Sequence, residues 1–107
     1  MKIFGIWFFV FLFSGNAFGG NVDCGFINIK TFYVQANRTD GSLHSNKLLL
    51  QLGGNCSGYG YIGNAEPAFD GILSMLLSAK MADRKIRVVV DNGTQVDGAS
   101  KIQFVNF

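Results

Sequence analysis

A chain of 107 residues with 15% charged side chains and a net charge of +2 makes one domain at most, without the clustered basic excess that a polyanion-binding surface needs. Two cysteines without C-x-x-C spacing and a single histidine, His44, exclude a Cys/His metal centre. No GxSxG, HExxH or phosphate-binding glycine loop occurs, so a non-catalytic protein without cofactor is expected.

The first element is "MKIFGIWFFVFLFSGNAFG", residues 1–19. Lys2 precedes an apolar run from Ile3 to Phe13, too short for the roughly 20 residues that span a bilayer. It has the form of a secretory signal peptide, with Ala17-Phe18-Gly19 as the small-x-small site. Cleavage is expected after Gly19, with Ala17 as the nearby alternative, leaving residues 20–107 as a single exported domain. Removing the leader takes Trp7 and six of the eleven Phe, and leaves eight Lys/Arg against seven Asp/Glu, a net charge of +1. The exported part has no membrane span and no basis for nucleic-acid binding. In an oxidising compartment the even pair Cys24 and Cys56 reads as a disulfide.

"GFINIKTFYVQA" follows Cys24, rich in β-branched and aromatic residues, and "NRTDGS" ends it. One long strand is expected. Its apolar positions change phase from Phe26, Ile27 and Ile29 to Phe32 and Val34, the mark of a bulge or sharp bend. "KLLLQLGG" is the second strand and "CSGYGYIGN" a short third. A helix is expected from about Glu66 to Ala82, with Asn64 as its cap and Pro67 in its first turn. "RKIRVVVDNG" gives a fourth strand, "DNGTQVDGAS" a polar loop and "KIQFVNF" a last strand. Five strands and one helix between strands three and four make a mainly β inventory, that of a five-stranded oligonucleotide/oligosaccharide-binding (OB) fold barrel. An α+β roll, or an open sheet covered by one helix, is the alternative.

The helix carries the second signal. Steps of roughly 100° per residue collect Phe69, Ile72, Leu73 and Leu76, flanked by Ala68, Leu77 and Ala79, on a core-facing side. The other side holds Asp70, Gly71, Ser74, Ser78 and Met81, with Met75 and Ala82 at its margin. A solvated helix in a small exported domain normally shows Lys and Glu there. The small residues Gly71, Ser74, Ser78 and Ala82 follow one stripe, which admits a close neighbour. Gly71, Ser74, Met75, Ser78 and Ala82 are therefore the expected contacts of a homo-oligomer, most simply a closed ring; the alternative is a monomeric periplasmic structural or inhibitory protein whose helix face covers another protein.

A leader, a cysteine opening a long first strand, a second cysteine before a short aromatic strand, and "AFDGILSMLLSAKMADRKIRVVV" come in that order. This layout resembles the OB-fold B subunits of pentameric bacterial toxins, in particular the subtilase-cytotoxin and pertussis-type branch. The resemblance implies five copies with the helix lining a central pore. It also implies sialylated or other glycans bound at the outer barrel face, and a separate catalytic subunit. It transfers no glycan-binding residue.

Candidate ligand contacts come from the residues themselves. Tyr59 and Tyr61, two apart on a strand, share a face and offer rings and hydroxyls to a sugar. Asp40 and Ser42, in the polar stretch from Asn37 to Asn46, supply groups for sugar hydroxyls. His44 reads as a solvated loop residue. The carboxylates Asp23, Asp40, Asp83, Asp91 and Asp97 fall at turns and strand ends, and Glu66 and Asp70 open the helix, so neither set marks an acid/base pair.

Overall fold

The computed structural model describes residues 20–107; the expected leader and its cleavage site lie outside the described residues. In chain order come β1 (Asn21–Ile27), β2 (Phe32–Val34), β3 (Lys47–Gln51), β4 (Tyr59–Gly63), α1 (Phe69–Met81), β5 (Ile86–Val96) and β6 (Ala99–Asn106). The fold is mainly β, one six-stranded sheet ordered β1-β5-β6-β4-β3-β2 with a single helix among the described residues. All neighbours are antiparallel except β4 and β6, which run parallel with Gly60 opposite Ser100.

The expected first strand is two strands, so the helix lies between the fourth and fifth strands, not between the third and fourth. Side-chain parity explains the division. Val22 and Cys24 face the core, and a bulge at Cys24 then transfers that role to Ile27 and Ile29. Gly25, at φ +82°, supplies the left-handed turn of the bulge. Phe32 restores the original parity, and between it and Ile27 the chain gives up pairing with β5 and takes up β3.

That exchange also forces curvature. Ile27 and Phe32 stand five residues apart, a reach of at most roughly 18 Å. The outer strands of a flat six-stranded sheet stand about 24 Å apart. Because β1 and β2 are the two ends of the strand order, the sheet has to curl. Its concave side holds one apolar core that includes Leu48, Leu50, Ile62, Ile86, Val88 and Ile102.

Helix α1 covers this core. Phe69, Ile72, Leu76 and Ala79 are buried at i, i+3, i+4 spacing, as the sequence periodicity predicts. Leu73 packs partly against them, whereas Leu77 and Ala68 are exposed. The helix starts later than expected because residues 64–68 are held in turns, the Glu66 N–H donating to the Gly63 carbonyl and the Phe69 N–H to Glu66. Ala68 precedes the helix without a side-chain cap, so Asn64 does not fill that role. The C-terminal end closes more firmly. Asp83 takes the left-handed conformation at φ +53°, the Arg84 N–H bonds to the Ala79 carbonyl at 2.9 Å and the Asp83 N–H to Lys80 at 3.3 Å. Lys80 Nζ then donates to the Ile29 and Lys30 carbonyls at 3.3 and 3.0 Å, pinning the helix to the break between β1 and β2.

The disulfide joins Cys24 to Cys56 with Cα atoms 5.1 Å apart. It ties the bulge to the β3–β4 connection across 32 positions, a closure worth about 3.5–4 kcal/mol of unfolded-state entropy. The two segments are in backbone contact: the Asn55 N–H donates to the Cys24 carbonyl at 3.0 Å. A Cβ on Gly54 would stand 2.2 Å from that same oxygen, so only glycine fits there.

Asp23 adds a polar clamp beside the bulge. Arg87 donates to its Oδ2 from Nη2 at 2.8 Å and Nε at 3.1 Å, and the Gly25 N–H donates to Oδ1 at 2.9 Å. The Arg87 hydrogen bonds, followed by that of Gly25, hold the Asp23 carboxyl below its ordinary value of 3.8. A depressed folded-state value stabilises the fold above the unfolded value and loses that contribution as pH falls through the folded one. Thermal melts of wild type and Asp23→Asn are expected to differ by a constant margin above about pH 5 and to converge in more acid solution. A margin independent of pH would show that the clamp acts only through packing.

Candidate functional site

The convex side of the sheet is not uniformly solvated. Leu49 points away from the main core, yet it is buried with Tyr61 and Ala99 in a second apolar cluster, against which Tyr59 and Val96 pack. Tyr59 and Tyr61 do share this face, because strand residues two apart project to the same side. Gly60 projects inward, where a Cβ would already stand 3.0 Å from Ile102 and 3.3 Å from Leu52. Tyr61 is only 7% exposed and Tyr59 is half-buried. The more accessible ring is Tyr33 of β2, 42% exposed, which meets Tyr59 edge-on with centroids 6.4 Å apart at 70°.

These rings edge a cleft of about 250 Å³. Tyr33 and Tyr59 form one wall, Leu49 and Ala99 the floor, and His44 and Asp97 the polar side. His44 comes from the β2–β3 loop and Asp97 from the β5–β6 turn, so two loops converge over the outer face of β3 and β4. The His44 side chain is 14% exposed, not the solvated loop residue expected from sequence. Its Nε2 lies 3.9 Å from Asp97 Oδ2, and its Nδ1 is buried without a hydrogen-bond partner. An unsatisfied buried polar atom costs roughly 1–3 kcal/mol.

The β5–β6 turn departs from the expected polar loop over residues 91–100. Strand β5 continues to Val96, which pairs with Ala99 across the two-residue turn Asp97–Gly98. Both turn residues have positive φ, +48° and +84°, as a hairpin turn matching the twist of its strands requires. Polar residues Asn92–Thr94 fall in the register shift between Asp91 and Gln95, where Asp91 accepts from the Gly93 N–H and the Thr94 hydroxyl, both at 2.9 Å.

Asp40 and Ser42 take other places. Asp40 pairs with Arg38, whose hydrogen bond holds the carboxyl below its ordinary range, and this exposed pair does not line the cleft. Ser42 Oγ accepts from the His44 N–H at 3.2 Å and lies 3.4 Å from Gln35 Oε1, to which its hydroxyl donates. It sets the loop that delivers His44. Asp40 also accepts from the Ser42 N–H at 3.3 Å, completing the same turn.

On the helix, Gly71, Ser74, Ser78 and Ala82 are exposed, and Met81 beside them is 85% exposed. Met75 is not part of that open stripe; it packs partly against the main core. A groove of about 320 Å³ runs between α1 and β6, with Gly71, Ile72 and Met75 on one side and Phe104 and Val105 on the other. Among the described residues no group of His, Cys, Asp and Glu is arranged to hold a metal, and no helix is long and apolar enough to cross a membrane.

No protein-family model, curated protein or solved structure matches the chain.

The two faces of the tyrosine group separate in a stability measurement. Tyr61→Ala empties a buried position and is expected to cost about 3–5 kcal/mol in urea unfolding, whereas Tyr33→Ala is expected to cost under about 1 kcal/mol. Equal losses would mean that Tyr33 is a packing residue and not an accessible one.

Proposed function

We propose that the chain is an exported, non-catalytic OB-fold module that binds cell-surface glycans and assembles into a ring, five-membered by its resemblance to toxin B subunits. The single observation that carries the binding reading is the cleft of Tyr33, Tyr59, His44 and Asp97. Taking β1 and β2 as two arms of one bent strand makes the curled sheet a five-stranded barrel. The outer face of β3 and β4, between the two convergent loops, is then where OB folds hold oligosaccharides and oligonucleotides. Charge selects between those ligands. Asp97 lines the cleft and no Lys or Arg does, whereas a strand of phosphates needs cations along its path. Aromatic rings beside hydrogen-bonding groups suit a sugar.

The disulfide supports an extracellular or periplasmic setting, since such bonds persist where the surroundings oxidise thiols. Supporting assembly are the uncharged stripe of α1 and the groove beside Phe104, which together leave apolar surface along one side of the molecule. A second copy of the chain is the partner this reading assigns to that side, and a separate catalytic subunit is the partner that the toxin resemblance assigns to the ring.

Two measurements test the two halves. On an array of neutral and sialylated glycans, wild type is expected to show selective binding that Tyr59→Ala lowers at least tenfold; uniform background for both proteins would overturn the glycan reading. The native mass of the oxidised exported chain is expected to be a multiple of the monomer, falling to one copy in Ser78→Arg with an unchanged circular dichroism spectrum. A monomeric wild type would overturn the ring and turn the helix face into a docking surface for a different protein.

A further inference from the structure

The tyrosine cleft does not stand alone. Gly58 and Gly98 line it, and both also line a second cleft of about 380 Å³. Beyond its own chain neighbours, a Cβ built on either glycine would meet nothing within 4 Å, so both backbones stand open at the border between the clefts. The two clefts therefore meet at Gly58 and Gly98, a saddle set between the β3–β4 connection and the β5–β6 turn.

The second cleft has a different chemistry. Its polar lining is Asn55, Ser57, Asn92, Gln95 and Ser100, and none of its lining residues is ionisable, Cys56 being held in the disulfide. Asn55 and Ser57 flank Cys56, so the disulfide fixes that wall against the β1 bulge. Asn92 stands in the stretch of β5 where the pairing with β6 shifts register, and Gln95 follows it where pairing resumes opposite Ser100. Two amides are already oriented: Asn55 Nδ2 donates to the Asp23 carbonyl at 3.4 Å, and Gln95 Nε2 donates to the Asn92 carbonyl at 3.1 Å. Each bond uses one N–H of a group that carries a second N–H and a carbonyl oxygen. Paired donors and acceptors without charge match the hydroxyls of a sugar ring, each of which both donates and accepts.

We infer that the ligand is an uncharged oligosaccharide of at least two residues lying across the Gly58–Gly98 saddle, one ring on Tyr33 and Tyr59, the next among Asn55, Asn92 and Gln95. This rests on the glycan-binding reading and narrows it. Across the lining of both clefts the only carboxylate is that of Asp97 and no Lys or Arg is present, and the one imidazole, His44, already lies beside Asp97, so no permanent cation is there to pair with an anionic sugar. A sialylated end, which the toxin resemblance implies, lacks its counter-charge in this groove.

Calorimetric titration of the oxidised exported chain tests the inference, with galactose and glucose as single rings, lacto-N-tetraose and cellotetraose as neutral oligosaccharides, and 3′-sialyllactose as the anionic probe. At least one neutral oligosaccharide is expected to bind tenfold or more tightly than either single ring. The double variant Asn92→Ala/Gln95→Ala is expected to abolish that gain while leaving single-ring binding unchanged, and Tyr59→Ala to weaken both. Unfolding midpoints in urea confirm that the variants are folded. Equal affinity for one ring and four, or a double variant that weakens both alike, would overturn the two-part groove and leave a one-ring site. Preference for 3′-sialyllactose would overturn the uncharged ligand while keeping glycan binding. Binding of none of the five would overturn this inference; the glycan array then decides whether the glycan reading falls with it.

Discussion

The structure depends on a change of partner made within a few residues of Cys24. Before the change the chain belongs to β5, and after it to β3. Because those two strands sit at opposite regions of the strand order, the segment between Ile27 and Phe32 draws the sheet's ends together. Three independent contacts hold the segment in place. The disulfide fixes the bulge to the β3–β4 connection, Lys80 bonds the carbonyls of Ile29 and Lys30, and Arg87 bonds Asp23. The bonds of Lys80 and Arg87 reach the chain from α1 and β5, so the curvature, the helix and the outer loops are set together.

Curvature in turn gives β3 and β4 two different buried sides. Leu48, Leu50 and Ile62 fill the concave core, while Leu49 and Tyr61 meet Ala99 outside it. A strand buried on both sides reads as a continuous apolar run, which is what Leu48-Leu49-Leu50 is. The outer cluster stops at the half-buried ring of Tyr59, and the groove starts there. Alternate residues of one strand therefore take different places: Tyr61 packs against Ala99 of the hairpin, and Tyr59 lines the cleft beyond it.

Much of this was legible in the sequence, and the parts that were not have identifiable causes. The core side of α1 follows from apolar spacing alone, because Phe69, Ile72 and Leu76 repeat with the helix period. An even pair of cysteines sufficed for Cys24–Cys56. The phase change after Cys24 signalled a distortion, yet periodicity does not distinguish a bend within one strand from an exchange of partners between two. The hairpin at Asp97–Gly98 was marked by an Asp-Gly pair, a strong turn signal, but Asn92–Thr94 interrupt the alternation that would have extended the strand. Tyr33 and His44 escaped because their meeting with Tyr59 is purely tertiary; loop composition pointed instead to Asp40 and Ser42, whose polar groups are used within the loop.

The order of strand pairing has a consequence for how the chain is made. Among the described residues β1 has β5 as its only strand partner, and β6 stands between β5 and β4, so the first strand waits for β5 and the parallel seam for β6. The early pieces, β2 to β4, make a small antiparallel ribbon whose broad apolar side has nothing to rest on. Such a topology delays collapse, since its decisive contacts join distant parts of the chain. In a chain of this design the sheet closes late, when β5 and β6 join strands laid down on the other side of α1.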